Sequence, residues 1–176
     1  DGVVRIYGLD GSATIEIRVP GPPIDVKSLA LTKDGARLAV AWVQGSIWWW
    51  ETQRPDVPHD LIRHGSESDA LAWSRDGLSL AEEGAQNQTT IWTFASPPKQ
   101  TTKIKNGSWV KRIHFSLDGK WMIRGGSDGL ELAEIAGPGR VALDTRGTVG
   151  NVASDERGAL IAAADRDGRL TLWAAR

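Results

Sequence analysis

Apolar and polar residues alternate along this chain in short runs that are separated by turn-forming pairs. Residues 28–32, 70–74 and 112–116 each carry apolar side chains two positions apart. This spacing places successive side chains on opposite faces of an extended strand. Similar short runs follow between the turns, and no stretch keeps the 3.6-residue period of an amphipathic helix. The pattern therefore predicts an all-β protein.

The turn pairs recur with a fixed period. The first set has glycines separated by 42, 42 and 39 residues: Asp34-Gly35, Asp76-Gly77, Asp118-Gly119 and Arg157-Gly158. A second set follows nine positions later in each repeat: Gln44-Gly45, Gln86-Asn87, Asp128-Gly129 and Asp167-Gly168. Four short strands fit into each repeat, and their total is seventeen. Such a period predicts antiparallel four-stranded units stacked side by side.

The ends of the third strands carry a resemblance to a known family. Residues 1–7 read Asp-Gly-Val-Val-Arg-Ile-Tyr, residues 167–173 read Asp-Gly-Arg-Leu-Thr-Leu-Trp, and Ile91-Trp92 occupies the same place. The chain resembles the WD-repeat β-propellers over essentially its whole length. The resemblance implies a propeller segment of four-stranded antiparallel blades, open or completed by another chain or segment. We expect one unit over 1–176, divided as follows: 1–19 (the last two strands of a preceding blade), 25–63, 68–105, 110–144 and 149–176 (an incomplete blade).

This sequence departs from the hydrogen-bonded set of His, Ser or Thr, Asp and Trp that the resemblance implies in each blade. Only His64 stands where the family places its His, and Glu82 takes the Ser position of that blade. We therefore expect His64 to pair with Glu82. In the next blade Arg124 takes the Ser position and Asp128 is the turn Asp, so we expect an ion pair between them. These contacts are interpreted as structural, since buried networks also perturb pKa values.

Composition and charge exclude several classes of function. The chain has 176 residues, no cysteine, and a formal net charge of −1 from 21 basic and 22 acidic residues. The lack of cysteine excludes disulfides, thiolate chemistry and cysteine-bound metals, and it favours a cytoplasmic location. No global charge attracts nucleic acid, and no apolar run is long enough to cross a membrane. We expect no cofactor.

Candidate catalytic and metal motifs are better explained as turns. Gly125-Gly126-Ser127-Asp128-Gly129 has the spacing of a hydrolase nucleophile turn, but such a turn joins a strand to a helix and here it joins two strands. Asp155, Asp165 and Asp167 lack the regular ligand series and the closing Glu of a calcium loop. We therefore expect no catalytic residue and no metal site.

One face of the predicted propeller collects candidate binding residues. The loops before the first strands and between the second and third strands share this face, which we call the top face. The repeat places these residues there: Lys27, Asp69, Trp109, Lys111, Ser127 and Arg166. Trp and Arg are enriched at energetically important interface positions, so a protein partner is favoured. The alternative is single-stranded nucleic acid on the basic stretch 103–112, which the neutral charge opposes.

Trp48 breaks the repeat and is a further candidate contact. The aligned third-strand positions hold polar residues, namely Arg5, Thr90, Glu131 and Thr171. Trp48 is therefore predicted to point toward the wetter side, where an uncovered ring leaves a large apolar area in water. We expect either the loop 53–58 or another chain to cover the Trp48 ring.

The resemblance favours a non-catalytic interaction scaffold or sensor module within a larger signalling or defence protein. The alternative is a propeller accessory domain of an enzyme such as a peptidase, with catalysis outside this chain. A nucleotide-binding domain upstream would favour the first and a hydrolase domain the second. The predicted blade count is below the seven of common family rings, so we also expect completion of the ring by another copy, chain or flanking segment.

Overall fold

The computed structural model describes residues 3–10, 15–18, 25–63, 67–84, 87–106, 109–145, 147–155 and 160–174. These residues form seventeen strands, as the repeat predicts, and contain no helix. The strands are β1 (Val3–Ile6), β2 (Ile15–Arg18), β3 (Val26–Leu31), β4 (Arg37–Trp42), β5 (Ser46–Glu51), β6 (His59–Arg63), β7 (Ala70–Trp73), β8 (Ser79–Gly84), β9 (Gln88–Thr93), β10 (Lys99–Lys105), β11 (Val110–Phe115), β12 (Trp121–Gly126), β13 (Gly129–Glu134), β14 (Arg140–Leu143), β15 (Val149–Ser154), β16 (Leu160–Asp165) and β17 (Leu170–Ala174).

The strands form five antiparallel sheets, each built from neighbours in sequence. We number these blades in chain order: blade 1 is β1–β2, blade 2 is β3–β6, blade 3 is β7–β10, blade 4 is β11–β14 and blade 5 is β15–β17. The inner strands β3, β7, β11 and β15 lie next to one another, as the central strands of a propeller do. The described sheets do not close on themselves.

The turn between the first and second strands repeats one hydrogen-bonded arrangement in blades 2, 3 and 4. A hydroxyl donates to the turn aspartate at 2.6 Å in each, in the pairs Thr32–Asp34, Ser74–Asp76 and Ser116–Asp118. Together with backbone N–H donors, these hydroxyls hold the pKa of each aspartate below its usual value. The glycine that follows has a φ near +70° in all three turns. The aspartate accepts these hydrogen bonds and glycine adopts this φ without strain, which explains why Asp-Gly marks these three turns.

Apolar side chains fill the interfaces between consecutive blades. The core side chains lie in four clusters, represented by Ile17, Val40 and Trp50 (blades 1 and 2), Trp49, Leu71 and Leu80 (blades 2 and 3), Ile91, Ile113 and Met122 (blades 3 and 4), and Ile123, Val152 and Ala163 (blades 4 and 5). Because side chains alternate along a strand, each blade supplies one set of residues to each neighbour.

The position of Trp48 corrects one expectation. Trp48 is half-buried and packs with Trp50 against the cluster around Ile17, while the intervening Trp49 faces blade 3. The aromatic ring thus packs toward blade 1, a cover that was not among the two expected ones. The reason is that blade 1 places isoleucines opposite this face of β5. A contact between a partner and the exposed part of Trp48 stays a prediction.

Two apolar surfaces remain exposed at the ends of the described stack of blades. Leu29 and Leu31 project from the inner strand β3, and Leu170 and Leu172 project from β17. Within the described residues, blade 1 contributes only β1 and β2, so nothing covers the leucines of β3. At the interface between blades 2 and 3, by contrast, Leu71 and Trp73 of β7 pack in one cluster with Ala30 of β3.

Candidate partner-binding site

A repeated β-bulge positions two of the predicted binding residues. In blade 2 the pairing shifts between Val26 and Ser28, and in blade 4 it shifts between Val110 and Arg112. Lys27 and Lys111 are the extra residues at these two bulges. A bulge turns the local side chain away from the regular alternation. Both lysines therefore lie at the top-face end of an inner strand, in equivalent places two blades apart.

Asp69 connects these blades at the top face. Its Oδ2 accepts a hydrogen bond of 2.5 Å from the Trp109 indole Nε1, and its Oδ1 lies 3.4 Å from the Lys27 ammonium. Lys27 also contacts Glu67 Oε2 at 2.7 Å. The hydrogen bond to Glu67 and the charge of Asp69 raise the pKa of Lys27 above its usual value. Asp69, which belongs to blade 3, thus holds side chains from blades 2 and 4.

Trp109 is the exposed aromatic of this group, with 49% of its surface accessible. The Lys111 ammonium lies 4.8 Å from the centre of its ring, within the range of a cation–π interaction. The main-chain carbonyl of Trp109 accepts hydrogen bonds from Ser127 N (3.0 Å) and Ser127 Oγ (3.2 Å). Trp109 is therefore fixed through both its indole N–H and its main chain, while about half of its surface stays exposed to solvent.

Four of the predicted binding residues are thus brought together. We call Lys27, Asp69, Trp109 and Lys111 the top-face cluster. Arg166 is exposed on the second turn of blade 5, where its main-chain N–H donates to the Thr148 carbonyl at 3.1 Å. Its place in a binding site stays a prediction. Ser127 donates to the Trp109 carbonyl, which gives its hydroxyl a structural contact.

One pair of the predicted structural network differs from the expectation, and the other pair, His64 with Glu82, stays a prediction. His64 lies outside the described residues. Glu82 is buried and accepts a hydrogen bond from the Ser68 hydroxyl at 3.4 Å. Arg124, expected to pair with Asp128, instead forms an ion pair with Glu131. The register explains this correction, because Arg124 and Glu131 are directly opposed on β12 and β13, whereas Asp128 lies in the connecting turn.

Sequence reasoning missed three members of this network. Glu83 is buried beside Glu82, Asn106 contacts both Glu83 and Arg124, and Glu131 neutralises Arg124. One available signal was the Glu82-Glu83 pair within the apolar strand β8, since charged residues are rarely buried without partners. Their partners, Ser68, Thr89 and Asn106, come from other parts of the blade, and only the folded structure identifies them.

The described residues contain no group of three or more His, Asp or Glu side chains placed to hold a metal ion. Among the same residues, no helix of the length and apolar character needed to span a membrane occurs.

The structure is similar to the β-propeller domain of Cps50 (Swd1) from Myceliophteria thermophila, with a TM-score of 0.77. The two are 18% identical, and the alignment covers 88% of this chain and 53% of that chain. This chain therefore spans about half the length of that propeller. No family model and no curated protein matches the sequence. The similarity confirms the predicted fold, a β-propeller segment built from antiparallel blades.

Proposed function

We propose that this chain is a non-catalytic protein-interaction scaffold or sensor module whose partner binds the top-face cluster. The supporting observation is that Lys27, Asp69, Trp109 and Lys111, from three consecutive blades, form one connected set of contacts. The propeller fold supports an interaction scaffold in general terms. The contacts within the top-face cluster support this surface as the place where the partner binds.

Trp109 is suited to be the central contact of a protein interface. Its indole N–H is already bonded to Asp69, so a partner meets a ring of fixed orientation. Side chains that are held before binding lose less conformational entropy when a complex forms. A large, partly exposed aromatic of this kind is a frequent source of binding energy.

The local charges favour a protein over a nucleic acid. The ammonium of Lys27 is balanced by Glu67 and Asp69, and the whole chain has a net charge of −1. A surface that binds single-stranded nucleic acid combines aromatics with a surplus of positive charge along a groove. The top-face cluster has the aromatic without that surplus.

We further propose where this module acts and what kind of protein contains it. We place it in the cytoplasm, in a larger signalling or defence protein, since a chain without cysteine suits a reducing compartment. The alternative is an accessory domain of an enzyme such as a peptidase. A nucleotide-binding switch domain in the same protein would favour the first setting, and a hydrolase domain would favour the second.

The experiment first captures a partner from cells that express the protein. The affinity of that partner is then measured for two double variants. Trp109→Ala with Lys111→Ala removes the ring and its cation. The matched control is Leu117→Ala with Lys120→Ala, exposed residues at the opposite end of the same hairpin. We expect the first variant to bind about tenfold or more weakly, with the midpoint of thermal unfolding lowered by only about 2–4 °C through loss of the hydrogen bond to Asp69. Equal binding by the two variants would contradict the proposal.

A further inference from the structure

The carboxylates at one side of the top-face cluster are already engaged by neighbouring side chains. Asp69 Oδ2 accepts the hydrogen bond from the Trp109 indole, and Asp69 Oδ1 lies 3.4 Å from the Lys27 ammonium. The Glu67 carboxylate lies 2.7 Å from the same ammonium. The Asp69 side chain is only 16% exposed. A basic partner would therefore have to compete with Lys27 for these carboxylates.

The other side of the cluster carries two cations on β11. The Lys111 ammonium lies 4.8 Å from the centre of the Trp109 ring. The next residue, Arg112, is exposed, and its Nη1 donates to the Lys111 main-chain carbonyl at 2.8 Å. Among the residues that the structure describes, no carboxylate forms an ion pair with either side chain. A guanidinium has five N–H donors and an ammonium three, so most of these donors are left for solvent or for a ligand.

Trp109 places an apolar surface beside these two cations. About half of its surface is exposed, and its indole N–H is bonded to Asp69 of blade 3. Its main-chain carbonyl accepts the hydrogen bonds from Ser127. The ring therefore has a fixed orientation, and a ligand that covers it also meets the Lys111 ammonium.

A carboxylate beside an apolar side chain matches this combination of groups. Hydrogen bonds from an ammonium or a guanidinium to a carboxylate are charge-assisted, and the guanidinium fork fits the two carboxylate oxygens. An exposed aromatic ring is stabilised when apolar atoms pack against it. A polypeptide presents both groups where Asp or Glu is next to a residue such as Leu, Ile or Phe.

A nucleic acid matches the same surface less well. Its phosphates recur along the strand, so it needs cations that continue along a groove. The next cation toward blade 2 is Lys27, which is paired with Glu67 and Asp69. The Glu67 side chain is 46% exposed and would repel a phosphate. Two cations beside one aromatic ring therefore favour an acidic peptide segment.

We propose that the top-face cluster binds an acidic segment of its protein partner. A carboxylate of that segment contacts Lys111 and Arg112, and a neighbouring apolar side chain covers the Trp109 ring. The inference rests on the proposed function, because it names the chemistry of the partner at that surface.

The test follows the indole N–H resonance of Trp109 by NMR during titration of the intact chain, and the resonance is assigned with Trp109→Phe. The probe is the peptide Gly-Glu-Glu-Leu-Gly with both ends blocked, and its matched control is Gly-Gln-Gln-Leu-Gly. We expect the acidic peptide to shift the resonance saturably, with a dissociation constant in the millimolar range. The glutamine peptide should bind about fivefold or more weakly, because it lacks the charges. A short oligothymidylate serves as the nucleic-acid probe.

Two double variants assign the binding to the cations of β11. Lys111→Gln with Arg112→Gln keeps the Trp109 ring and removes both charges, and we expect it to bind the acidic peptide about fivefold or more weakly. The matched control, Lys99→Gln with Lys103→Gln, removes two exposed cations from β10 and should bind like the wild type. If the first variant does not fold, titration of the wild type at low and high salt replaces it, because salt weakens a contact between charges.

Several outcomes would overturn the inference: no saturable shift of the Trp109 resonance, equal binding of the two peptides, or an affinity that is unchanged by loss of both cations or by salt. Tighter binding of oligothymidylate would identify a nucleic acid instead. The proposed function has a separate readout, since the affinity of the captured partner for Trp109→Ala reports whether the cluster is used at all. If that variant binds the captured partner weakly while the acidic peptide fails to bind, the proposed function stands and this inference falls.

Discussion

The indole N–H of Trp109 donates to the carboxylate of Asp69 over 2.5 Å, so that a residue at the start of blade 4 is bonded to one at the start of blade 3. Asp69 also lies 3.4 Å from Lys27 of blade 2. Three blades are therefore connected at the top face by polar contacts as well as by the apolar cores between them.

This contact predicts energetic coupling between Trp109 and Asp69. Trp109→Phe retains an aromatic ring but removes the N–H donor, and Asp69→Ala removes the acceptor. We expect a coupling free energy of about 1 kcal/mol in a double-mutant cycle of urea unfolding, since hydrogen bonds to charged groups exceed ordinary ones in strength while exposure weakens them. Additive effects of the two substitutions would show that the contact contributes nothing.

Gly126 is predicted to be essential for the geometry of this face. A Cβ at this position would overlap the Trp109 carbonyl and approach the backbone of Val110, neither of which can move without shifting β11. We expect Gly126→Ala to lower the free energy of unfolding by about 1–3 kcal/mol. Gly150→Ala is the matched control, because the nearest atom to its Cβ would be the Ala164 carbonyl oxygen at 3.7 Å. Equal losses in the two variants would argue against the overlap.

Much of the site follows from the repeat. Lys27, Asp69 and Lys111 occupy equivalent positions before or at the start of inner strands, so the period alone predicts that they share a face. The bulges that turn the two lysines are not visible in the sequence, because they depend on how β3 and β11 pair with their neighbours. The pairing of Arg124 with Glu131 was missed for the same reason.

The Trp48 prediction shows a second limit of the repeat. The aligned positions indicate the face of β5 on which a side chain lies. They do not indicate which residues the neighbouring blade places against that face. Blade 1 presents Ile15 and Ile17, which make an otherwise wetter face apolar. The residues that two neighbouring blades bring into contact differ from one interface to the next.

Burial of Glu83 predicts a pH-dependent stability. Its raised pKa means that the folded state binds the proton more tightly than the unfolded state, so its stabilising contribution is complete below about pH 4.5 and is lost as the pH rises through about 7. We expect the free energy of unfolding of the wild-type protein to fall relative to Glu83→Gln between pH 5 and pH 8, by up to about 3 kcal/mol. Urea unfolding across this range measures it. Parallel curves for the two proteins would contradict the prediction.

The exposed leucines predict association through the ends of the propeller segment. Leu170 and Leu172 are 80% and 63% exposed on β17, a large apolar surface for a strand. We expect Leu170→Thr with Leu172→Thr to reduce association in sedimentation velocity while leaving the unfolding midpoint nearly unchanged. A control on the other face, Trp173→Thr, should reduce stability because Trp173 packs into the core between blades 4 and 5. A monomeric closed ring of four blades in solution would contradict the open arrangement.

Hydrogen exchange measured with and without the captured partner shows whether the partner binds the top-face cluster. If the partner binds the top-face cluster, the amides around Asp69 and those from Trp109 to Ile113 will exchange more slowly in the complex, while the turn around Asp118 at the opposite end of the hairpin will be unchanged. Slower exchange at the Asp118 turn, with none at Asp69 and Trp109, would contradict the account.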